Sequence, residues 1–282
     1  MKILTFDIEE WFHILDHEST KDESSWNKYE NRIEKNMERI FQLLANNKQS
    51  ATFFCLGWLA KKFPEVIKKI DNLGYEIGSH SNLHTLSFNQ TRDEFKADLE
   101  KSIKVIEDIT GKKVKYYRAP GFSLKESNKW VFDELINQGI EIDCSIFPAS
   151  RSHGGFEKFP AKSPVLVSVE GRNIKEFPIN TFSLSGKNLI FSGGGYFRLI
   201  PYPLIKFLTK RSRYVMTYFH PRDFDFDQPI INDLSKIRKF KSYYGLKNSL
   251  GKLEKLIQDF DFIDLREANQ KFNWKESKII KI

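Results

Sequence analysis

Thr52-Phe53-Phe54-Cys55-Leu56, then the amphipathic segment Phe63 to Leu73 closed by Gly74, then Tyr75-Glu76-Ile77-Gly78, reads as a strand, a helix and a second strand. The first run is short, apolar and aromatic, which suits a strand buried on both faces. A helix between two such strands lets the chain return to the same end of the sheet, so the pair runs parallel. Working outward, the same alternation continues. Ile3 to Phe6 reads as a strand, and Ile33 to Leu44 as a helix with Ile33, Met37, Ile40, Phe41 and Leu44 on one face. Phe95 to Ile109 is a helix ending at Gly111, Val114 to Tyr117 a strand, Asn128 to Gln138 a helix stopped by Gly139, and Ile140 to Ile146 a strand. Repeated units of this kind predict an α/β fold, either a barrel or an open doubly wound sheet.

The remainder is less regular. Phe156 to Tyr202 is rich in proline and glycine and reads as irregular, Val215 to Phe219 as a strand, Leu246 to Phe260 as a helix and Phe262 to Leu265 as a last strand. No linker, low-complexity tract or internal repeat divides the sequence. The expectation is one domain over residues 1–282, with residues 236–282 as a helical and strand extension packed on it.

Of 282 residues 40% are hydrophobic and 14% aromatic, 25 of them phenylalanine, which excludes long disordered stretches. The net charge of +8 comes from lysines spread along the chain, and no nucleic-acid motif accompanies it, so nucleic-acid binding is not expected. A basic surface suits anionic lipid or a phosphate-bearing substrate. The densest basic stretch, Lys236 to Lys255, reads as a helix over the core, with peripheral membrane contact as its other reading. Cys55 and Cys144 sit in apolar runs and are expected as buried, reduced thiols. No basic segment with an apolar helix and cleavage site precedes Ile3, and no apolar run reaches transmembrane length. A cytoplasmic location, at or near the inner membrane face, is therefore expected. GxGxxG and Walker A sequences are absent, which weakens a nucleotide-binding reading.

In parallel α/β folds the chemistry sits at the carboxyl ends of the strands. The polar clusters fall there: Asp7-Ile8-Glu9-Glu10, Ser79-His80, Arg118 and His220. His80 and His84 are four apart, a spacing that suits two ligands of one ion, though alone it is a weak signal. A carboxylate from Asp7 to Glu10 completes a His₂–carboxylate site with open positions. Glu9 lies two residues past Asp7 and faces the same side of the strand, which favours it over Glu10. Arg118, before Ala119-Pro120-Gly121-Phe122, is placed to pair with a carboxylate, and that tight turn to aim a backbone N–H at a developing oxyanion. His220, in Tyr218-Phe219-His220-Pro221, is a candidate general acid. The triple glycine Gly193-Gly194-Gly195 would let backbone approach a ligand.

Together, in this order, these pieces resemble the polysaccharide deacetylase family (NodB homology, carbohydrate esterase 4), from about Ile3 to Pro221. The resemblance implies a distorted (β/α) barrel and hydrolysis of an acetamido group on a sugar. It implies Asp7 as base, Glu9, His80 and His84 as ligands of a divalent ion (Zn²⁺ expected), Arg118 as the residue positioning the base, Gly121 as the oxyanion donor and His220 as acid. The sequence is similar in detail to a subgroup associated with exopolysaccharide and lipopolysaccharide biosynthesis, in Asp7 to Phe12, Ser145 to Pro148 and Gly193 to Arg198. That likeness adds Phe122, Tyr196 and Arg198 to the expected substrate contacts and a lipid- or nucleotide-linked N-acetylated sugar to the expected substrates. Trp11, Tyr196 and Phe197 are candidate rings for packing on a sugar face. The family's usual adjacent Asp-Asp is replaced here by Asp7-Ile8-Glu9, and its Asp-Trp motif has only Asp143 as a counterpart. A C–N hydrolase of a small cyclic amide and a non-catalytic glycan-binding module are the alternatives.

Overall fold

The computed structural model describes every residue except 16, 152, 153, 185 and 186. Its strands are β1 (Lys2–Ile3), β2 (Thr5–Ile8), β3 (Thr52–Cys55), β4 (Glu76–Ser79), β5 (Tyr116–Tyr117), β6 (Ile142–Asp143), β7 (Val165–Val169), β8 (Arg172–Glu176), β9 (Phe182–Leu184), β10 (Lys187–Leu189), β11 (Val215–Met216) and β12 (Ile279–Lys281). Eight of them form one sheet in the order β12-β7-β8-β6-β5-β4-β3-β2, parallel throughout except for the antiparallel pair β7–β8. Beyond β2 the sheet continues through residues 215–219: β1 pairs with β11, and Asp7 N–H donates to Phe219 O at 2.7 Å. The result is the single α/β domain of distorted (β/α)-barrel type that the resemblance implied, with Phe6, Phe53, Phe54, Tyr117 and Phe219 fully buried along its sheet.

The helices are α1 (Glu23–Trp26), α2 (Ile33–Asn46), α3 (Gly57–Lys62), α4 (Pro64–Asn72), α5 (Arg92–Thr110), α6 (Trp130–Asn137), α7 (Gly194–Leu199), α8 (Tyr202–Arg211), α9 (Lys236–Tyr243), α10 (Ser249–Asp259) and α11 (Leu265–Lys271). α2 buries Ile33, Met37, Ile40, Phe41 and Leu44, the stripe read from the sequence. α5 has a Thr91/Glu94 capping box and a left-handed Gly111 after its last turn. α10 buries Leu253, Leu256 and Ile257. No helix among the described residues is long and apolar enough to cross a membrane. Cys55 and Cys144 are both buried and free.

Two expectations are corrected. Phe262 to Leu265 is not a strand: only Ile263 bridges to Ile3, and Asp264 caps α11 by accepting the Glu267 N–H. Phe156 to Tyr202 is not wholly irregular. Val165-Leu166-Val167-Ser168-Val169 alternates buried and half-buried, turns at Glu170-Gly171, and pairs with β8.

Candidate active site

The carboxyl ends of β2, β4, β5 and the 215–219 segment bring Asp7, Glu9, His80, His84, Gly121, Phe122 and His220 to one cavity of about 410 Å³. Arg118 stands behind it, fully buried. Its Nη1 donates to Asp7 Oδ1 at 2.7 Å and to Thr5 Oγ1 at 2.8 Å, and its guanidinium lies 4.2 Å from the Phe54 ring centre. The same residue accepts through its backbone: His80 Nδ1 donates to Arg118 O at 2.7 Å. That bond places the His80 proton on Nδ1 and leaves Nε2 as a lone-pair donor. Burial lowers the His80 pKa to about 4, so the ring is neutral near pH 7.

Glu9, His80 and His84 have ligand atoms within 4.8 Å of one another, and all three are buried. Glu9 Oε2 and His84 Nε2 approach to 2.6 Å, yet Glu9 Oε2 receives no aligned hydrogen bond. Two lone pairs aimed at one point in this way fit a shared cation. Burial alone would raise the Glu9 carboxyl, but His84, His220 and His80 outweigh it and hold the group well below the usual carboxylate range. Glu10 is elsewhere: its Oε1 accepts the N–H groups of Arg32 and Ile33 at 2.8 and 3.0 Å, so it caps α2. Of the two candidate carboxylates, Glu9 is the one at the imidazoles.

His80 to His84 is a loop, not a helical turn. Ser81 and His84 have φ of 72° and 56°, a conformation that costs non-glycine residues about 1–3 kcal/mol each. Asp98, on α5, holds the loop by accepting the N–H groups of Asn82 (2.7 Å) and Leu83 (3.1 Å). Ser81 Oγ accepts the His84 N–H at 3.1 Å. Sequence reading missed Asp98. Its signal was a carboxylate beside Phe95, Leu99 and Ser102 on the buried stripe of an amphipathic helix.

His220 faces the acids from the other wall. Its Nε2 lies 3.8 Å from both Asp7 Oδ2 and Glu9 Oε1, and its Nδ1 lies 3.0 Å from Asp223 Oδ2. Burial pushes the His220 pKa down, but Glu9, Asp223 and Asp7 together raise it to about 9. Asp223 is in turn 3.0 Å from Arg198 Nε.

Several expected substrate contacts change role. Arg198 lines the cavity, but its Nη1 donates to Ser242 O and Tyr244 O and its Nη2 to Lys241 O. It is a strut between α7, α9 and Asp223. Tyr196 is half-exposed and does not line the cavity. Trp11 and Phe197 are core: Trp11 Nε1 donates to Glu30 O, and Phe197 meets Phe219 edge to face at 4.8 Å. The triple glycine serves the fold first, since a Cβ on Gly193 would fall 2.1 Å from Tyr218 O. Gly121 has φ 59°, which only glycine adopts without strain.

Asp143 lies behind the Arg118 turn. It accepts from Ser145 Oγ at 2.5 Å, and Ser145 Oγ accepts the Ala119 N–H at 2.8 Å. Glu176, its register partner on β8, shares a hydrogen bond with it.

Residues 17–138 match the Polysaccharide deacetylase family, and residues 144–270 match a domain of unknown function, DUF3473. Over 97 residues the chain is 32% identical to the Peptidoglycan-N-acetylglucosamine deacetylase of Bacillus cereus, covering 34% of this chain and 35% of that one. Over 103 residues it is 27% identical to the Peptidoglycan-N-acetylmuramic acid deacetylase PdaA of Bacillus subtilis, covering 36% and 39%. The chain thus spans little more than a third of the length of these curated relatives. A solved structure from Mycobacterium smegmatis, described as a polysaccharide deacetylase, aligns over 96% of this chain and 91% of that one, with a TM-score of 0.63 and 16% identity. That likeness establishes the fold. Asp7 and Glu9 precede the segment matched to the deacetylase family, and His220 lies in the DUF3473 segment; only folding brings them to His80 and His84.

Three further residues of the cavity escaped sequence reading. His13 is buried, its Nδ1 accepts the Glu10 N–H at 3.2 Å, and its Nε2 has no partner. Arg151 and Arg222 also line the cavity. His13 lies in a hydrophobic turn, Arg151 in a loop and Arg222 in a single 3-10 turn, none with periodicity, so no pattern singled them out.

Proposed function

We propose that this chain is a metal-dependent N-deacetylase acting on the acetamido group of an amino sugar in a glycan or glycan precursor. The reading rests on one observation above all. A Glu9–His80–His84 cluster suited to a divalent ion faces the same cavity as an arginine-held carboxylate, Asp7, and a carboxylate-held imidazole, His220. Two nitrogens and one carboxylate oxygen, with room for further ligands, suit Zn²⁺. Such an ion supplies Lewis-acid polarisation of a carbonyl and lowers the pKa of water.

The chain's own residues do the rest. Arg118 holds Asp7 Oδ1, leaving Oδ2 toward the cavity to take the proton of the attacking water. The Gly121 N–H stabilises charge developing on the acetyl oxygen, a contact whose loss costs about 3 kcal/mol in barrier. His220, kept protonated by Asp223, delivers a proton to the departing amine. His13 Nε2–H, held in that tautomer by the Glu10 N–H, donates to a substrate oxygen. Phe122 offers its ring at the cavity wall. Deacetylase relatives named for peptidoglycan sugars support this substrate class. Peripheral membrane contact belongs to the same reading, because Ile237, Phe240 and Tyr244 at α9 are exposed amid Lys236, Lys239 and Lys241.

The test is acetate release from N-acetylated glycans by purified protein of known metal content. Asp7→Asn and His80→Ala should each abolish most of the release. Wild-type rates in either variant would overturn the scheme.

A further inference from the structure

The deacetylation scheme leaves unused the cationic side chains that line the cavity. Arg151, Arg222 and Lys241 line it together with Arg198 and Arg238. The cavity's carboxylates are already engaged. Asp7 is held by Arg118, Asp223 by His220 and Arg198, and Glu9 lies at His84. Arg222 Nη2 and Arg151 Nη1 are buried atoms with no hydrogen-bond partner, and among the described residues neither arginine has a carboxylate within ion-pair distance. Arg222 is anchored over the Tyr243 ring at 6.0 Å, and Arg151 lies 4.3 Å from the Phe147 ring centre. Aromatic packing fixes both guanidiniums without using their N–H groups. Burial presses Arg222 toward its neutral form, a penalty that a bound anion would offset.

We propose that Arg222 and Lys241, with Arg151 lining the same cavity, form an anion subsite, so that the preferred substrate is an N-acetylated sugar bearing a phosphate ester or a carboxylate next to the acetamido group. Planar N–H forks match both anions, and either would form charge-assisted bonds in a partly desolvated pocket. The inference rests on the deacetylase reading for the sugar, but the anion site stands on the arginines alone.

Two measurements test it separately. The first compares kcat/KM for acetate release from a neutral chitooligosaccharide, a sugar 1-phosphate or pyrophosphate-linked N-acetyl sugar, and a carboxylate-bearing glycan containing N-acetylmuramic acid. At least one charged substrate should exceed the neutral one by roughly tenfold or more, and which one does so tells phosphate from carboxylate. Arg222→Gln should bring that ratio near one. Lys241→Gln, at an exposed position, should lower it even if the arginine variant folds poorly. The second is calorimetric binding of methyl phosphate and of acetate to chelator-treated protein. At least one should bind, weaken at least tenfold in Arg222→Gln, and persist in Glu9→Gln. Equal kcat/KM for all substrates, or anion binding indifferent to Arg222→Gln and Lys241→Gln, would overturn the proposal. Arg222-dependent anion binding with no acetate release from any sugar would instead refute the deacetylase reading and leave the subsite standing.

Discussion

His80 Nδ1 and the carbonyl oxygen of Arg118 are 2.7 Å apart, so the residue whose guanidinium holds Asp7 also sets the proton of a candidate metal ligand. One short turn after β5 therefore orients both halves of the site. Arg118→Ala should strand Asp7 as a buried, unpaired carboxylate and destabilise the fold by about 3–5 kcal/mol, read by urea unfolding. Arg118→Lys keeps a charge but not the planar fork that reaches Asp7, Thr5 and Cys144 together. It should retain most of the stability and lose most of the activity.

The two glutamates after β2 should separate cleanly. Glu9→Gln should lower metal content and activity together. Glu10→Gln should leave metal content unchanged, because Glu10 serves Arg32 and Ile33 at the start of α2. Its effect should be a loss of about 1 kcal/mol in stability, the size of a lost helix cap. Elemental analysis beside thermal melting distinguishes the two.

Asp98 touches neither ion nor substrate in this scheme, yet it should matter to both. Asp98→Ala leaves the Asn82 and Leu83 N–H groups without their acceptor and frees Ser81 and His84 to leave their left-handed conformations. Metal affinity should fall about 10–100-fold, with the circular dichroism spectrum unchanged. A metal titration showing wild-type affinity would refute this positioning role.

The pH dependence follows from His220. Its folded pKa, about 9, is raised above the free value of about 6.5. The stabilisation it gives the metal-free protein is therefore full below about pH 6.5 and lost as pH rises through 9. Asp223→Asn removes one of the three carboxylates that raise it, so that loss should come at lower pH. Urea unfolding between pH 6 and 10 measures this directly. Acetate release should decline at alkaline pH as His220 loses its proton, since the proton donor must be charged.

How much of this was legible in the sequence depended on periodicity. The helices α2, α5 and α6 announced themselves by apolar stripes, the last two also by glycine stops, and β2 to β5 by short apolar runs ending in polar clusters. Asp7, Glu9, His80, Arg118 and His220 could be placed because each follows or ends such a strand. The β7–β8 hairpin was hidden by the loops around it, and Phe262 to Leu265 mimicked a strand because one bridge and a helix cap share four apolar or capping residues. Residues that act through tertiary contact, such as Asp98, Asp223 and Arg222, carry no local pattern. Exposed-looking aromatic motifs misled for the converse reason: a ring such as Trp11 packs on a sugar or on Tyr29 with the same chemistry.

Asp143 and Glu176 supply the last prediction. They are register partners on parallel strands, fully buried, and Asp143 Oδ2 and Glu176 Oε2 each lack an external donor. Two carboxylates so placed cannot both ionise, and burial with the Asp143 charge raises the Glu176 pKa well above its usual value. Glu176 is thus the protonated member, donating to Asp143, which in turn holds Ser145 and the Ala119 N–H of the Arg118 turn. A folded pKa raised above the free value gives stability that is full below about pH 4.3 and is lost progressively as pH rises toward the folded pKa. Glu176→Gln keeps a donor for Asp143 but cannot ionise. It should preserve activity and, relative to wild type, gain stability steadily as pH rises from 4 to 8. Glu176→Ala removes the donor and leaves Asp143 as a buried, unpaired charge, so it should lose stability across the same range. Urea midpoints of the three proteins over that range check the argument, and a Glu176→Gln difference that is flat with pH would place the proton elsewhere.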